Sequence, residues 1–307
     1  MSRRYKSASA SLLRAAKTGD IAVLHELIST SEDANACNAE RTSLLSIAAE
    51  NDHVDAMHML LEAQANVNHA NKLGETPLLC AVKSEMTAAV RVLIDAKANV
   101  DQVEFVEGES PLIMASRLGA LQTQQMLLEA KATIDLADQL NQTPLQLSIA
   151  SNRLATAEVL IKAKADVNIV DVNGQTALIE AIEGGHHDMM QMLIDAKARL
   201  NTDSHKHHVP LVYATEKGDP VAVKILIDAG ADINVEWDYA SLLTLAAENG
   251  HEDVLRLLLS YDSMSRQDLT DGMAVSAAAA RGSVHIIRVL QEYGVDLNHR
   301  DENGVST

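Results

Sequence analysis

Apolar residues recur along this chain with the spacing of two short helices separated by turns, and the stretch 171–203 shows the pattern clearly. It opens with turn-forming residues, and Thr176 can cap a following helix by accepting a hydrogen bond from a backbone amide. This first helix should end at Gly184-Gly185, where a positive φ costs least. A second helix should begin near His187-Asp188. Its apolar residues are spaced three and four apart on one face: Met189, Met190, Leu193 and Ile194.

The same pattern returns throughout the chain. Nine positions align with the start of the first helix at intervals of 32 to 34 residues: Ser11, Leu44, Pro77, Pro111, Pro144, Ala177, Pro210, Leu242 and Ala274. Such a period is typical of repeat arrays, in which neighbouring copies share a core that no copy forms alone. Each copy closes with a small, polar, apolar, polar tail, such as Ala65-Asn-Val-Asn68, which predicts a short extended segment.

Several stretches carry a more specific signature. They are Gly74-Glu-Thr-Pro-Leu78, Asn141-Gln-Thr-Pro-Leu145, Gly174-Gln-Thr-Ala-Leu178, Ala246-Ala-Glu-Asn-Gly-His251 and the Ala-Asp-Val-Asn tails. With these residues the copies resemble ankyrin repeats over residues 11–300. The resemblance implies an all-α ankyrin-repeat solenoid of nine helix–turn–helix repeats plus a truncated tenth. We expect a basic, disordered lead over residues 1–9, a single ankyrin-repeat domain over 10–300, and the start of an incomplete repeat over 301–307.

The chain departs from the family pattern at two positions of the repeat. The histidine that usually follows Thr-Pro-Leu is absent, so packing must replace its hydrogen bonds in some copies. Its place is taken by Ser46, Leu79, Ile113, Gln146, Ile179, Val212, Thr244 and Ser276. The glycine that usually ends the second helix is replaced by Gln64, Lys97, Lys131, Lys164, Lys197 and Asp262. Each replacement costs roughly 1 kcal/mol if the backbone there is left-handed.

Acidic residues dominate the charge of the chain. Lysine and arginine number 25 and aspartate and glutamate 43, a formal net charge of −18. Such a field repels nucleic acids and anionic membranes and suits a protein partner with a basic patch. Aromatic residues make up only 2% of the chain and apolar residues 47%, so burial depends on small aliphatic side chains. No apolar run approaches the roughly 18 residues of a membrane span.

The two cysteines, Cys37 and Cys80, lie in different copies without metal-ligand spacing. This favours buried fillers or free thiols of a reducing compartment over a disulfide, so we expect a cytoplasmic or nuclear protein. Basic residues precede the first acid, Asp20, as in an organelle transit peptide. Because the first copy already begins at Ser11, cleavage of such a peptide would destroy a structural unit.

The resemblance implies that partners bind a concave face made of the turn fingers and the first helices. Trp237, the single tryptophan, falls on a predicted finger together with Tyr239. An exposed aromatic beside charged and imidazole groups is typical of binding hot spots. The alternative is that Trp237 covers a gap left where Tyr239 replaces the finger glycine. The remaining candidate partner-binding residues of repeats seven and eight are His205, Lys206, His208, Glu216, Lys217, Glu248 and Asn249.

The only phenylalanine, Phe105, lies in the one finger that is a residue longer than the others. A large apolar group in an exposed loop suggests a second contact point, and the nearby Glu104, Glu107 and Glu109 would suit a basic partner. The alternative is that Phe105 folds back onto a neighbouring finger.

Catalytic and metal sites find little support in the sequence. His205, His207 and His208 could bind zinc with His186 and His187, but a metal site needs a fixed set of ligands with supporting contacts. His53, His186 and His251 occupy a position that ankyrin repeats use structurally. Glycine-rich phosphate loops, Gly-x-Ser-x-Gly and His-Glu-x-x-His are absent from the sequence. We therefore expect no enzyme activity, cofactor, metal or small-molecule substrate.

These features predict a protein–protein interaction scaffold that presents a concave, acidic surface, with contacts centred on the finger tips of repeats seven and eight. The alternative is a regulatory or targeting ankyrin segment of a longer protein, such as a kinase, channel, ubiquitin-ligase subunit or secreted effector, whose activity lies beyond residue 307. This alternative is motivated by the last residues, Asn303-Gly-Val-Ser-Thr307, which precede a predicted helix.

Overall fold

The computed structural model describes residues 8–30, 33–201, 209–235, 240–261, 272–295 and 297. These residues form 18 α-helices and no β-strand, which confirms the all-α prediction. By its contacts the chain divides into two compact units, Met1–Asn173 and Gly174–Thr307.

The helices come in pairs. The described residues of the first unit contain α1 (Ala10–Thr18), α2 (Ile21–Thr30), α3 (Leu44–Glu50), α4 (Val54–Glu62), α5 (Pro77–Lys83), α6 (Thr87–Asp95), α7 (Pro111–Leu118), α8 (Leu121–Glu129), α9 (Pro144–Ala150) and α10 (Leu154–Lys162). Those of the second contain α11 (Ala177–Gly184), α12 (His187–Asp195), α13 (Pro210–Lys217), α14 (Pro220–Asp228), α15 (Leu242–Asn249), α16 (Glu252–Leu259), α17 (Met273–Arg281) and α18 (Val284–Glu292).

The first helix of each pair begins where the sequence period predicts. Seven of the nine aligned positions are the first residue of a helix, while Ser11 and Ala274 are the second. A serine or threonine side chain caps most of these helices by accepting a hydrogen bond from the amide three residues later. These caps are Ser9, Ser43, Thr76, Ser110, Thr143, Thr176 and Ser241. The predicted cap at Thr176 is thus confirmed, as is the left-handed Gly185 that follows α11.

Within each unit the helices form two layers. Odd-numbered helices contact the next odd-numbered helix, and even-numbered helices the next even-numbered one. A first helix inside the layer is therefore covered from both sides, and in α5 all six residues from Pro77 to Val82 are buried. Burial of one large aliphatic side chain contributes about 1.5–3 kcal/mol, so these shared faces supply much of the stability.

The position that holds histidine in the family pattern is filled in two ways, as predicted. Leu79, Ile113, Ile179 and Val212 are at most 1% exposed and replace hydrogen bonds by packing. The polar replacements bond to the helix cap instead. Ser46 Oγ lies 2.9 Å from Ser43 Oγ, and the Gln146 side chain forms a capping box with Thr143.

The tails differ from the predicted extended segments, because they form turns. In the tail at 65–68, the amide of Asn68 donates to Asn66 Oδ1 at 3.1 Å, and the corresponding bonds recur at Asp101, Asn168 and Asn234. An asparagine or aspartate side chain that captures the amide two residues later closes a turn. The prediction of extended tails was wrong because it ignored this local side-chain acceptor.

The last residue of a tail also bonds to the tail of the following copy. Asn35 Oδ1 accepts from the amide of Asn66, and Asn68 Oδ1 accepts from that of Asn99, both at 2.7 Å. The same contact joins Asp101 to Thr133, Asp135 to Asp166 and Asn201 to Asp232. The repeated polar tail positions therefore link one copy to the next.

Non-glycine residues adopt left-handed backbone after the second helices, as the family comparison implied. The φ angles are 62° at Gln64, 64° at Lys97, 67° at Lys131, 75° at Lys164 and 72° at Lys197, while Gly230 and Gly294 keep glycine at the same position. Asp262, the sixth predicted substitution, lies outside the described residues. Each of these side chains reduces the stability of its copy.

Replacing Lys131 or Lys164 by glycine should therefore stabilise the protein. Glycine removes the steric strain of the left-handed backbone, which outweighs the lost attraction between the lysine charge and the helix C-terminus. We therefore expect the free energy of unfolding to rise by about 0.5–1 kcal/mol for each replacement. Thermal unfolding followed by circular dichroism would measure it as a rise in midpoint of about 1–3 °C. Lys162→Gly is the matched control, since Lys162 is the last residue of α10 and should lose stability. A lower midpoint for Lys131→Gly and Lys164→Gly would contradict the prediction.

Candidate functional site

The turns between helix pairs are here called fingers, and in two described fingers the first polar residue closes the turn. In one finger the amide of Asn71 donates to the carbonyl of Glu75 at 3.0 Å, and Asn71 Oδ1 accepts from the amides of Leu73 and Glu75 at 2.9 Å each. In another, Asp138 Oδ1 accepts in the same way from Leu140 and Gln142 at 2.9 and 2.8 Å. Each finger is therefore held in shape by its own hydrogen bonds.

Neighbouring fingers of the first unit are also joined by backbone hydrogen bonds. The amide of Phe105 donates to the carbonyl of Leu73 at 2.7 Å, and that of Val172 donates to Leu140 at 3.0 Å. Equivalent bonds of 3.0 Å run from Lys72 to Glu40 and from Gln139 to Glu107. Five successive fingers are thus connected edge to edge.

These fingers carry a row of exposed aliphatic and aromatic side chains. The row, here called the finger ridge, consists of Leu73, Phe105, Val106, Leu140 and Val172, which are between 50% and 62% exposed. Turn tips are normally polar, and a contiguous exposed apolar patch marks an interaction surface. The finger ridge is therefore a candidate interaction surface of the first unit.

The finger with the extra residue is closed by a longer side chain. Glu104 occupies the place of Asn71 and Asp138, and its carboxylate accepts from the amides of Val106, Glu107 and Glu109 at 2.6, 2.7 and 3.0 Å. Burial opposes ionisation of Glu104, but these amide donors outweigh it and lower the pKa of the carboxyl group. The additional methylene of glutamate matches the additional residue of the loop.

The acids around Phe105 therefore differ in their availability to a partner. Glu104 is buried and bound to the loop backbone, and Glu109 is 5% exposed with two 2.8 Å bonds to the Arg117 guanidinium. The expectation that both would face a basic partner was wrong because their oxygens have partners inside the protein. Glu107 remains exposed.

Phe105 lies over the preceding finger and is still accessible. A Cβ atom on residue 74 would come within 2.7 Å of the Phe105 ring, so Gly74 is required where the ring passes. Phe105 nonetheless stays 62% exposed. The packing and binding interpretations of this residue are therefore compatible, and partner binding by Phe105 stays a prediction.

A cavity of about 370 Å³ lies beside the finger ridge. Leu73, Val106, Met114 and Leu118 contribute its apolar lining, and Glu107 contributes an exposed acid. The other charged groups in the lining are paired, including Lys83 with Glu75 at 2.6 Å. The cavity is large enough for one long side chain of a partner.

Comparison with protein families agrees with this architecture. The family model of ankyrin repeats (3 copies) matches residues 12–104, 96–171 and 163–236. The chain belongs to the ankyrin repeat family. A comparison with curated proteins found no match.

The candidate site that sequence reasoning placed on ankyrin repeats seven and eight is described only in part. Trp237, Tyr239, His205, Lys206 and His208 lie outside the described residues, as does His207. Their role in partner binding stays a prediction.

Four further candidates from these ankyrin repeats lie at the C-terminal ends of α13 and α15. Glu216 and Glu248 are exposed, whereas Lys217 Nζ donates to the carbonyl of Glu183. Asn249 Nδ2 donates to the carbonyl of Leu245 at 2.9 Å and is half-buried. Glu216, Lys217 and Glu248 are thus exposed, and Lys217 and Asn249 also hold hydrogen bonds within the repeats.

His53 and His251, two of the three histidines at the structural position of the ankyrin pattern, bridge neighbouring copies. His53 Nε2 lies 2.9 Å from the carbonyl oxygen of Lys17, and His251 Nε2 lies 2.8 Å from that of Glu216. His187 instead contacts Asp219 Oδ2 at 2.7 Å. Within the ranges that the structure describes, no three His, Cys, Asp or Glu side chains come together as metal ligands would.

Both cysteines are buried and not bonded to each other, as the sequence predicted. Burial raises the pKa of Cys80 to about 12, so its thiol is unreactive. No helix in the described part of the chain has the length and apolar character needed to cross a bilayer.

Sequence reasoning identified Phe105 but missed the other members of the finger ridge. The signal was an aliphatic residue one or two positions before the finger glycine or its substitute, as with Leu73 before Gly74 and Leu140 before Asn141. Both Gly74 and Asn141 adopt positive φ, which places the preceding side chain at the tip of its finger.

Glu104→Gln should destabilise the long finger. The side-chain NH2 group of glutamine would face backbone N–H donors and could not accept their hydrogen bonds. We therefore expect the free energy of unfolding at pH 7, measured with urea, to fall by about 1–3 kcal/mol. The exposed Glu107→Gln is the matched control and should change little.

The pH dependence of this loss tests its cause. Folding lowers the pKa of Glu104, so its ionised form stabilises the folded state. This stabilisation is complete above the pKa of about 4.3 that glutamate has in the unfolded chain, and it disappears as the pH falls through the lower pKa of the folded state. The difference in stability between wild type and Glu104→Gln should therefore shrink below about pH 4. A difference that stays constant from pH 7 to pH 3 would contradict this assignment.

Proposed function

We propose that this chain is a non-catalytic protein-recognition scaffold of nine ankyrin repeats and the start of a tenth, in the cytoplasm or nucleus. The finger ridge carries this proposal. It places Leu73, Phe105, Val106, Leu140 and Val172 at the tips of fingers, where they are at least half exposed. Side chains that hold a fold together are not placed in this way.

The rigidity of the fingers supports the same function. Hydrogen bonds within and between fingers fix the backbone under the ridge, so docking a partner orders little of this protein. A preorganised surface binds more tightly for the same contacts because less conformational entropy is lost on binding. The net charge of −18 would speed encounter with a partner that carries a basic patch.

A second contact region on repeats seven and eight is part of the proposal. It comprises Trp237, Tyr239, His205, Lys206 and His208 from the sequence, together with Glu216 and Glu248, whose side chains are exposed. Aromatic anchors of this kind dominate the affinity of many interfaces. Because these regions fall in different units of the chain, each has to be tested separately.

Site-specific photocrosslinking in the native host tests whether these surfaces meet a partner. A photoreactive phenylalanine analogue at position 105, 140 or 237 should form covalent adducts with the same partner protein, identified by mass spectrometry. Position 284 is the control, since Val284 is 56% exposed and is the first residue of helix α18 and not part of a finger. Adducts of equal yield and identity at position 284, or none at 105 and 140, would refute the ridge as a binding surface.

Substitutions should then separate binding from stability. Phe105→Ala and Trp237→Ala should each weaken the affinity for the purified partner about tenfold or more, as hot-spot truncations do. Neither should shift the thermal midpoint by more than about 2 °C, since neither side chain is expected to belong to the core. Unchanged affinity in Trp237→Ala would remove repeats seven and eight from the interface.

A further inference from the structure

We propose that the finger ridge binds a basic amphipathic α-helix whose apolar residues recur every seven positions. The inference rests on the protein-binding function proposed above, and it adds the conformation and charge of the segment that docks. Three features of the ridge point to such a partner: the spacing of its side chains, their chemistry, and the charge around them.

The spacing follows from how the fingers are joined. Each finger is a closed hairpin of two chain segments, and adjacent fingers are connected by backbone bonds such as Phe105 N to Leu73 O. Equivalent positions in adjacent fingers are therefore separated by two inter-strand steps of about 4.8 Å, or about 10 Å. Seven residues of an α-helix rise about 10.5 Å and return to nearly the same face. Leu73, Val106 and Leu140 thus match three successive heptad positions.

Other peptide conformations match this ridge less well. In an extended strand, residues on one face are separated by about 6.6 or 13 Å, neither of which is 10 Å. A polyproline II helix repeats every 9 Å or so, but it is recognised by aromatic grooves. Phe105 is the only aromatic member of the ridge. An aliphatic ridge is suited to the leucine and isoleucine side chains of a helix.

The charge of the region selects a basic partner. Residues 72–140 contain ten acidic and six basic residues. The basic side chains at the ridge itself have partners, because Arg117 binds Glu109 and Lys72 lies 3.4 Å from Glu40. Glu107 is exposed on the finger that carries Phe105 and lines the adjoining 370 Å³ cavity with Leu73 and Val106. A lysine or arginine of the helix fits there, with its alkyl chain against the apolar lining and its charge near Glu107.

An unbiased selection tests the proposal. A display library of random 24-residue peptides would be selected on the wild-type chain alone, and the affinity of the selected peptides would then be measured for Phe105→Ser/Leu140→Ser, in which the ridge loses two apolar groups. The matched control, Leu154→Ser/Val284→Ser, removes two exposed aliphatic side chains at helix N-termini. Circular dichroism confirms beforehand that both variants are folded.

The expected peptides have apolar residues with a helical period and a net positive charge. They should bind wild type and the control variant equally, bind the ridge variant at least tenfold more weakly, and gain helical circular dichroism on binding. Exchange of the peptides' lysines and arginines for glutamate should lower their affinity for the wild-type chain at least tenfold.

Two other outcomes would overturn the proposal in distinguishable ways. Ridge-dependent peptides that are proline-rich, alternate as strands do, or are acidic would refute the helical, basic partner and leave the ridge as a binding surface. Peptides that bind wild type and the ridge variant equally would argue against peptide docking on the ridge, and the crosslinking at positions 105 and 140 then decides whether the proposed function survives.

Discussion

The first helix of each copy depends on the neighbouring copies for its burial. In α5 the residues from Pro77 to Val82 are all buried, although a helix of seven residues can cover only a small part of its own surface. The covering surfaces come from α3 and α7 of the neighbouring copies as well as from α6 of the same copy. Alanines such as Ala81 and Ala115, both 0% exposed, allow these helices to approach closely. Stability therefore resides between copies more than within them.

The apolar residues of the tails, such as Ala165 and Val167, are buried in the core, whereas the polar residues of the fingers and tails have another role. These polar residues bond to nearby backbone, as Asn71 does in its finger, and Asn68 joins one tail to the next at 2.7 Å. The result is two kinds of structure in one chain. Apolar layers provide the free energy of folding, and hydrogen-bonded turns provide a fixed surface for recognition.

The helical part of this fold could be predicted from sequence because its signals are local and repeated. Thr176, Gly185 after α11 and the left-handed position at Lys131 all follow from a period that recurs along the chain. The tails were mispredicted since the same residues suit an extended segment or a turn. What decides between them is a bond from an amide to a side chain two residues earlier, such as Asn68 to Asn66.

The candidate site was harder to predict because exposure depends on contacts between copies. Glu104 and Glu109 looked available as charges, but one holds its loop and the other binds Arg117 from α7. The ridge residues other than Phe105 went unnoticed, since a single leucine in a turn carries no periodic signal. Only the joining of successive fingers turns Leu73 and Leu140 into members of one surface.

The pairing of a longer acid with a longer loop at Glu104 has a consequence for how such arrays vary. Ser110 still caps α7 as Thr76 caps α5, so the inserted residue leaves the adjoining helix start intact. The length of the loop and the length of the side chain that closes it therefore change together. By the same reasoning, glutamate in place of Asn71 or Asp138, with one inserted residue, would lengthen that finger while the helices beneath stay in place.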